Sequence, residues 1–122
     1  DIICVPSVTE TLGGYWRVRI GAMARALEGQ CVTAMSSIVG DAAWSEALGT
    51  SFGAGGIFGP PDRGLPQTGV FAVGELNAPG WTYADVDLAQ IAEVRRDGIV
   101  LNRARWTRQD GRDATAQEVS LL

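Results

Sequence analysis

Residues 15–39 read YWRVRIGAMARALEGQCVTAMSSIV, and the pattern changes from helix-like to strand-like near residue 30. The first part carries apolar side chains at spacings of i, i+4, i+7 and i+11, which mark one face of an amphipathic helix. This periodicity predicts a helix from Tyr15 to Gly29 with its apolar line packed on a sheet, and the β-rich apolar run that follows predicts a strand from Cys31 to Val39. The apolar line consists of Trp16, Ile20, Met23 and Leu27.

Upstream of this helix, Ile2 to Val5 form a short apolar run that ends at Pro6. The run predicts a buried strand, because four consecutive apolar residues bounded by a breaker are typical of one. It begins almost at residue 1, without a preceding turn. We therefore expect the chain to be a piece of a longer protein.

Downstream, three further strands are predicted at Gly53–Gly59, Val70–Val73 and Trp81–Val86, the last from its alternating pattern. Asp87 is a candidate N-cap for a helix from Leu88 to Arg95. With 122 residues the chain predicts one domain or a part of one. The order of strand, helix, four short strands and a last helix indicates an α/β fold.

The charged residues exclude several classes of chemistry. All ten basic residues are arginine, so the sequence contains neither histidine nor lysine. It therefore holds no Ser-His-Asp triad, no histidine metal ligand and no Schiff-base lysine, and we expect no cofactor and no metal. The net charge of −4 argues against a nucleic-acid partner, which requires a basic surface.

Two cysteines, Cys4 and Cys31, lie inside apolar runs and predict buried free thiols in a reducing, cytoplasmic compartment. Glu28 close to Cys31 could imitate a base beside a nucleophile, but a core thiol is the simpler interpretation. The segment 53–59 could imitate a phosphate loop, but Phe58 replaces a required glycine and prolines follow instead of a helix. No apolar run reaches the length of a membrane span, so no membrane partner is expected.

Several motifs, taken in order, resemble the nitrilase superfamily of carbon–nitrogen hydrolases. Each motif is weak alone, and their common order carries the resemblance. Two positions depart from the family pattern, with Gly29 in place of an asparagine and Gly55 in place of a serine. The matching segments are Ile2–Thr9, Tyr15–Arg19, Ala24–Cys31, Ser37–Gly40, Phe52–Pro60, Asp85–Leu88 and Val94–Arg95.

The resemblance implies that residues 1–106 form the C-terminal half of a four-layer αββα sandwich and that residues 107–122 form a polar tail. It also implies hydrolysis of an amide, nitrile or N-carbamoyl substrate through a cysteine thioester. The Glu-Lys-Cys triad of the family would precede residue 1, so this chain alone would be inactive. The competing hypothesis is a non-catalytic binding or assembly module that retains the half-fold.

The resemblance further assigns a substrate-facing loop to Pro6, Ser7, Val8 and Thr9, with Glu10 less securely included. The alternative for Ser7 and Thr9 is a hydrogen bond to the backbone of the turn. The helix at 15–28 is expected to join two copies in a homo-oligomer, because Gly21, Ala22 and Arg25 leave room for a second helix.

Overall fold

The computed structural model describes residues 1–106, and the predicted polar tail at 107–122 lies outside the described residues. A strand, a long helix and a second strand open the chain, followed by four short strands and two helices. The elements are β1 (Ile2–Ser7), α1 (Leu12–Gly29), β2 (Val32–Ser37), β3 (Gly40–Asp41), β4 (Thr50–Ser51), β5 (Gly56–Phe58), β6 (Val70–Val73), α2 (Leu88–Asp97) and α3 (Asn102–Trp106).

The main sheet has four strands in the order β1-β2-β5-β6. β1 and β2 are parallel and joined by α1, whereas β5 and β6 continue the sheet in antiparallel fashion. β3 and β4 form a separate two-stranded ribbon. The predicted mixed α/β class is therefore confirmed.

The core lies between α1 and one face of this sheet. Helix residues with small side chains approach the strands closely, and the Thr33 hydroxyl donates a 3.1 Å hydrogen bond to the Ala22 carbonyl of α1. Strand alternation places Met35 and Phe58 on this face. The buried cluster consists of Tyr15, Ala22, Ala26, Met35, Ala54 and Phe58.

The prediction that the apolar line of α1 packs on the sheet is wrong for three of its four residues, and only Met23 is half-buried and packed against the core. Trp16 is 45% exposed, Ile20 61% and Leu27 38%, while Ala22 and Ala26 are buried. With about 100° per residue, the line lies roughly 110° around the helix from the buried face. Small side chains occupy the sheet-facing side of α1 because they let the helix backbone approach the strands.

β1 differs from its prediction in length and in burial. It continues through Pro6 to Ser7 and lies at the edge of the sheet, where a missing proline N–H is tolerated. Four of its six residues are exposed, and Cys4 is among them. The prediction of a buried Cys4 is therefore wrong, whereas that of a buried, free Cys31 is confirmed.

Both ends of α1 are defined by caps. The Thr11 hydroxyl accepts a 3.0 Å hydrogen bond from the Gly14 N–H, so the helix starts three residues earlier than predicted. At the other end Gln30 adopts a left-handed conformation with φ of 43°.

On the surface of α1, the Arg25 guanidinium and the Glu28 carboxylate form an ion pair at 2.9 Å, and both side chains are exposed.

In the C-terminal part, the predicted strand at Trp81–Val86 does not form, and that segment is irregular. The predicted cap does form, because the Asp87 carboxylate accepts a 2.8 Å hydrogen bond from the Ala89 N–H. α3 was not anticipated from the sequence. Among residues 1–106, no helix is long and apolar enough to cross a membrane.

Candidate functional site

The carboxyl ends of β1 and β2 are the position at which an α/β sheet offers a binding site. Ser7 and Ser37 pair at these ends, and the Ile38 N–H donates a 3.0 Å hydrogen bond to the Ser7 carbonyl. The loop that follows β1 leads directly to the N-terminus of α1. The four residues assigned to a substrate loop therefore lie at this edge of the sheet.

Ser7, the last residue of β1, has a polar group without a partner among residues 1–106. Its side chain is buried, and the hydroxyl oxygen has no hydrogen-bond partner among the described residues. Buried hydroxyls normally have a partner, so an unpaired one needs an explanation. A hydroxyl can both donate and accept a hydrogen bond, so Ser7 can bind the N–H or the carbonyl oxygen of an amide, or an oxygen of a carboxylate.

Thr9 has a different environment. Its hydroxyl donates a 2.6 Å hydrogen bond to the Phe52 carbonyl, and the Phe52 N–H donates a 2.7 Å hydrogen bond back to the Thr9 carbonyl. Thr9 also lies against Gly14, where an added Cβ would approach the Thr9 Cβ to 2.9 Å. In this structure Thr9 therefore fastens the loop to the 52–53 segment and to the first turn of α1.

Pro6 and Val8 are both exposed, so the structure brings neither of them into contact with a closed cavity. Pro6 pairs with Ser36 on the edge strand, and strand alternation places it on the sheet face opposite α1. Ser7 shares its face with Val5, which packs against the core. Pro6 and Ser7 are thus the last two residues of β1, whereas Val8 and Thr9 follow the strand, so the prediction of one loop over all four residues is wrong. Their side chains do not all point in one direction.

A second set of contacts supports this edge and was missed by the sequence analysis. Asn77, with a positive φ of 60°, accepts a 3.0 Å hydrogen bond from the Gly53 N–H and donates a 2.7 Å hydrogen bond from its own N–H to the Gly53 carbonyl. Gly53 also packs against Ser37, since an added Cβ would lie 2.3 Å from the Ser37 Cβ. An Asn in a Glu-Leu-Asn turn is the signal that could have indicated this role.

The sheet face opposite α1 carries a cleft of about 250 Å³. Its floor is formed by β2 and β5 and its rim by the irregular segment around Trp81. Thr82 fixes that segment, because an added Cβ on Gly55 or Gly74 would approach the Thr82 hydroxyl to 2.5 and 2.8 Å respectively. The side chains around the cleft include Ser36, Ile57, Pro79, Trp81 and Thr82.

Neither cysteine is placed as a nucleophile. Cys31 is buried, and its sulfur lies 3.6 Å from the Arg25 carbonyl, to which it can donate a weak hydrogen bond. Glu28 is on the helix surface, paired with Arg25 rather than with a thiol. Within residues 1–106, no three His, Cys, Asp or Glu side chains converge in a way that could hold a metal ion.

Asp62 is the carboxylate with a distinct electrostatic environment. Burial by itself raises its pKa, but hydrogen bonds from the N–H groups of Ile99, Arg63 and Val100, with the nearby Arg63 guanidinium, outweigh this effect. The pKa of Asp62 therefore lies below its ordinary value of 3.8. The Ile99 N–H reaches both carboxylate oxygens, at 3.0 and 3.2 Å, which indicates a structural role.

Comparison with known proteins gives one informative match. The chain is 34% identical over 99 residues to a protein of Bacillus subtilis (strain 168) named "Probable hydrolase YhcX". The aligned part covers 81% of this chain but 19% of that protein, so the chain spans about a fifth of the length of this relative. No family model matches the chain. No solved structure matches it either.

Proposed function

We propose that this chain is part of a carbon–nitrogen hydrolase of the nitrilase superfamily that acts on an amide, nitrile or N-carbamoyl substrate. The observation that carries the proposal is the 34% identity with a probable hydrolase across most of the chain. The ordered series of nitrilase-like motifs supplies the narrower assignment to carbon–nitrogen bonds. The proposed chemistry belongs to the whole protein, of which this chain supplies one wall.

The exposed face of the sheet supports the proposed architecture, which is half of a four-layer αββα sandwich. α1 covers one face, whereas the opposite face presents Ile2 and Cys4 as exposed side chains and Ala34 and Ile57 as half-buried ones. An apolar sheet face of this kind normally packs against another layer. In the proposed sandwich, a second sheet outside residues 1–122 covers it.

In the proposed reaction, a cysteine thiolate outside this chain attacks the carbonyl carbon of an amide. A lysine and backbone N–H groups stabilise the resulting oxyanion, and a glutamate transfers the thiol proton to the leaving nitrogen. Ammonia or an amine leaves as the C–N bond breaks, and a thioester remains. Water, deprotonated by the glutamate, then hydrolyses the thioester and restores the thiol.

The contribution of this chain is the substrate-facing segment Pro6, Ser7, Val8 and Thr9. Among these four residues, Ser7 is the proposed substrate contact because its buried hydroxyl has no partner within residues 1–106. Thr9 is a positioning residue, since its hydroxyl and its carbonyl are both engaged with Phe52. A buried polar group kept for a ligand costs stability when empty, which is typical of binding sites.

The test is a Ser7→Ala variant of the full-length parent enzyme, assayed for ammonia release from amide, nitrile and N-carbamoyl substrates. We expect kcat/KM to fall about tenfold, which corresponds to one lost hydrogen bond of about 1.4 kcal/mol. The melting temperature of the ligand-free enzyme should not fall, because the hydroxyl makes no hydrogen bond within residues 1–106 and an unpaired buried hydroxyl itself costs stability. Ser45→Ala, on the 42–49 loop, is the matched control and should leave kcat/KM unchanged.

Two results would count against the proposal at different levels. A Ser7→Ala enzyme with unchanged kcat/KM removes Ser7 from the substrate site but leaves the reaction class intact. A full-length parent that lacks the Glu-Lys-Cys set, or hydrolyses none of the three substrate types, overturns the reaction class. The second result would favour the non-catalytic assembly module.

A further inference from the structure

Arg19 of α1 holds a positive charge in an unusual setting. Its guanidinium carbon lies 4.9 Å from the centroid of the Trp16 ring and 5.6 Å from that of the buried Phe58 ring. One Nη donates a 3.2 Å hydrogen bond to the Tyr15 hydroxyl. The group is therefore held in a fixed position between two aromatic side chains.

This guanidinium lacks an anionic partner among residues 1–106, whose ion pairs all involve other arginines. Its Nε is buried and makes no hydrogen bond within the same residues. A partly buried arginine usually meets a carboxylate, which its planar fork binds through two parallel hydrogen bonds. The Arg19 guanidinium is therefore a fixed hydrogen-bond donor without a carboxylate acceptor among residues 1–106.

The surroundings of Arg19 indicate what kind of group could supply that acceptor. Beside it runs the apolar line of α1, in which Trp16, Ile20 and Leu27 are exposed and Met23 is half-buried against the core. Arg19 lies between this line and the buried face of the helix. Because its side chain reaches Phe58 of β5, the apolar line must lie on the β5–β6 side of α1.

We propose that an amphipathic helix bearing a carboxylate packs alongside α1 on this side. Its apolar residues cover the exposed line, and its Asp or Glu side chain accepts two hydrogen bonds from Arg19. Two helices packed side by side on one sheet face bring such residues together at an interaxial distance of about 8–10 Å. This proposal concerns an interaction surface and does not depend on the proposed hydrolase activity.

The choice of an acidic partner follows from charge complementarity. An apolar segment alone would bury the guanidinium without compensating its charge, which is strongly unfavourable. A basic segment would add repulsion to that cost. A helix with one carboxylate opposite Arg19 and leucine-like residues opposite the line satisfies both features of the surface.

The experiment uses two fluorescein-labelled helical peptides of about 15 residues, built from alanine, leucine and lysine. Leucines at i, i+4, i+7 and i+11 match the apolar line, and a flanking position carries Glu in one peptide and Gln in the other. Fluorescence anisotropy gives the affinity of each for the chain. We expect the Glu peptide to bind about tenfold more tightly than the Gln peptide.

Three variants test whether Arg19 causes that preference. Arg19→Gln should remove it, so that both peptides bind alike, and Arg19→Lys should retain only a part of it because the two-pronged geometry is lost. Arg17→Gln is the matched control, since Arg17 lies on the same helix and is exposed. It should keep the full preference, and circular dichroism confirms that each variant is folded.

Several outcomes would overturn the proposal. These are equal affinity of the two peptides for the unmodified chain, a Glu preference that survives Arg19→Gln, and no binding of either peptide at millimolar concentration. Self-association of the chain that Arg19→Gln abolishes would also overturn it, because the carboxylate would then come from a second copy.

Discussion

At the scale of the residue, Asp62 is a connection between distant parts of the chain. Its carboxylate receives the Arg63 N–H at 2.7 Å and the Ile99 N–H at 3.0 Å, and thereby ties the turn after Pro61 to the segment between α2 and α3. Gly98 is required beside it, because an added Cβ would lie 2.7 Å from a carboxylate oxygen. Nothing in the sequence pattern distinguishes this aspartate from the exposed ones.

We predict that Asp62→Asn destabilises the chain by about 1–3 kcal/mol at neutral pH, through loss of charge-assisted hydrogen bonds. Because the folded pKa of Asp62 is lowered, the unfolded state binds its proton more readily, and the contribution is complete above the unfolded value of about 3.9. It is lost as the pH falls through the lower folded pKa. Urea unfolding of the unmodified chain and of Asp62→Asn should be measured between about pH 2 and pH 7. The difference between their free energies of unfolding should decrease at the acidic end. A difference that grows on acidification would contradict this sign.

Gly55 provides a second test at this scale. The space for a side chain at this position is already taken by the Thr82 hydroxyl, 2.5 Å from the place of a Cβ. Gly55→Ala should therefore cost about 1–3 kcal/mol in the free energy of unfolding. Thr82→Ala removes the obstructing atom, so the double variant should recover most of that loss, as a double-mutant cycle can measure. Strictly additive losses would show that Thr82 is not the cause.

At the scale of the element, α1 shows what a sequence can and cannot predict. The i, i+4, i+7 spacing correctly predicts that a helix forms, but it identifies an apolar stripe without identifying the neighbour of that stripe. Ala22 and Ala26 occupy the sheet-facing side instead, where the Thr33 hydroxyl can reach a helix carbonyl. Choosing between two possible faces depends on tertiary contacts that periodicity does not encode.

The prediction of a strand at 81–86 is wrong for a related reason. Its residues do alternate, with Trp81 and Tyr83 exposed and Thr82 and Ala84 half-buried, as in a strand. No ladder forms, and Thr82 instead packs over Gly55 and Gly74, which are hydrogen-bonded to each other at 2.9 Å. Likewise, the sequence does not distinguish Ser7 from Thr9, whereas the structure shows that the Thr9 hydroxyl is hydrogen-bonded to Phe52 and that the Ser7 hydroxyl has no partner among residues 1–106.

The predicted self-association through α1 would use the face of the helix that points away from the sheet. Ala22 is buried, so it cannot take part as expected, and the outward face consists of Arg17, Gly21, Ala24, Arg25 and Glu28. At Gly21 an added Cβ would meet no atom within 4 Å. We predict a dimer at micromolar concentration that Gly21→Arg weakens at least about tenfold by placing a bulky charge on the contact. Analytical ultracentrifugation measures this.

Gly49→Arg is the control for that experiment, since Gly49 is equally open and lies in the 42–49 loop. It should leave the dimer unchanged. A monomeric wild-type chain, or equal effects of the two arginine variants, would remove this face of α1 from the interface.

At the scale of the whole molecule, residues 1–106 combine a sheet face covered by α1, an opposite face with exposed apolar side chains, and a strand end at which the Ser7 hydroxyl has no partner. These features support the proposal that the chain supplies one wall of an active site. We predict that the isolated 122-residue chain releases no ammonia from amides or nitriles, because it contains no lysine to stabilise an oxyanion and Cys31 is buried. A coupled ammonia assay on the purified chain checks this.

Variants of Cys4 and Cys31 would show where any activity in that assay comes from. Cys4 is exposed but sits on an open strand face, and Cys31 faces the Arg25 carbonyl rather than a base. Activity lost specifically in Cys31→Ala or in Cys4→Ala would therefore identify a nucleophile within this chain and refute its role as a wall. Activity that persists in both variants would have to come from a group other than a cysteine of this chain, contrary to the thioester mechanism.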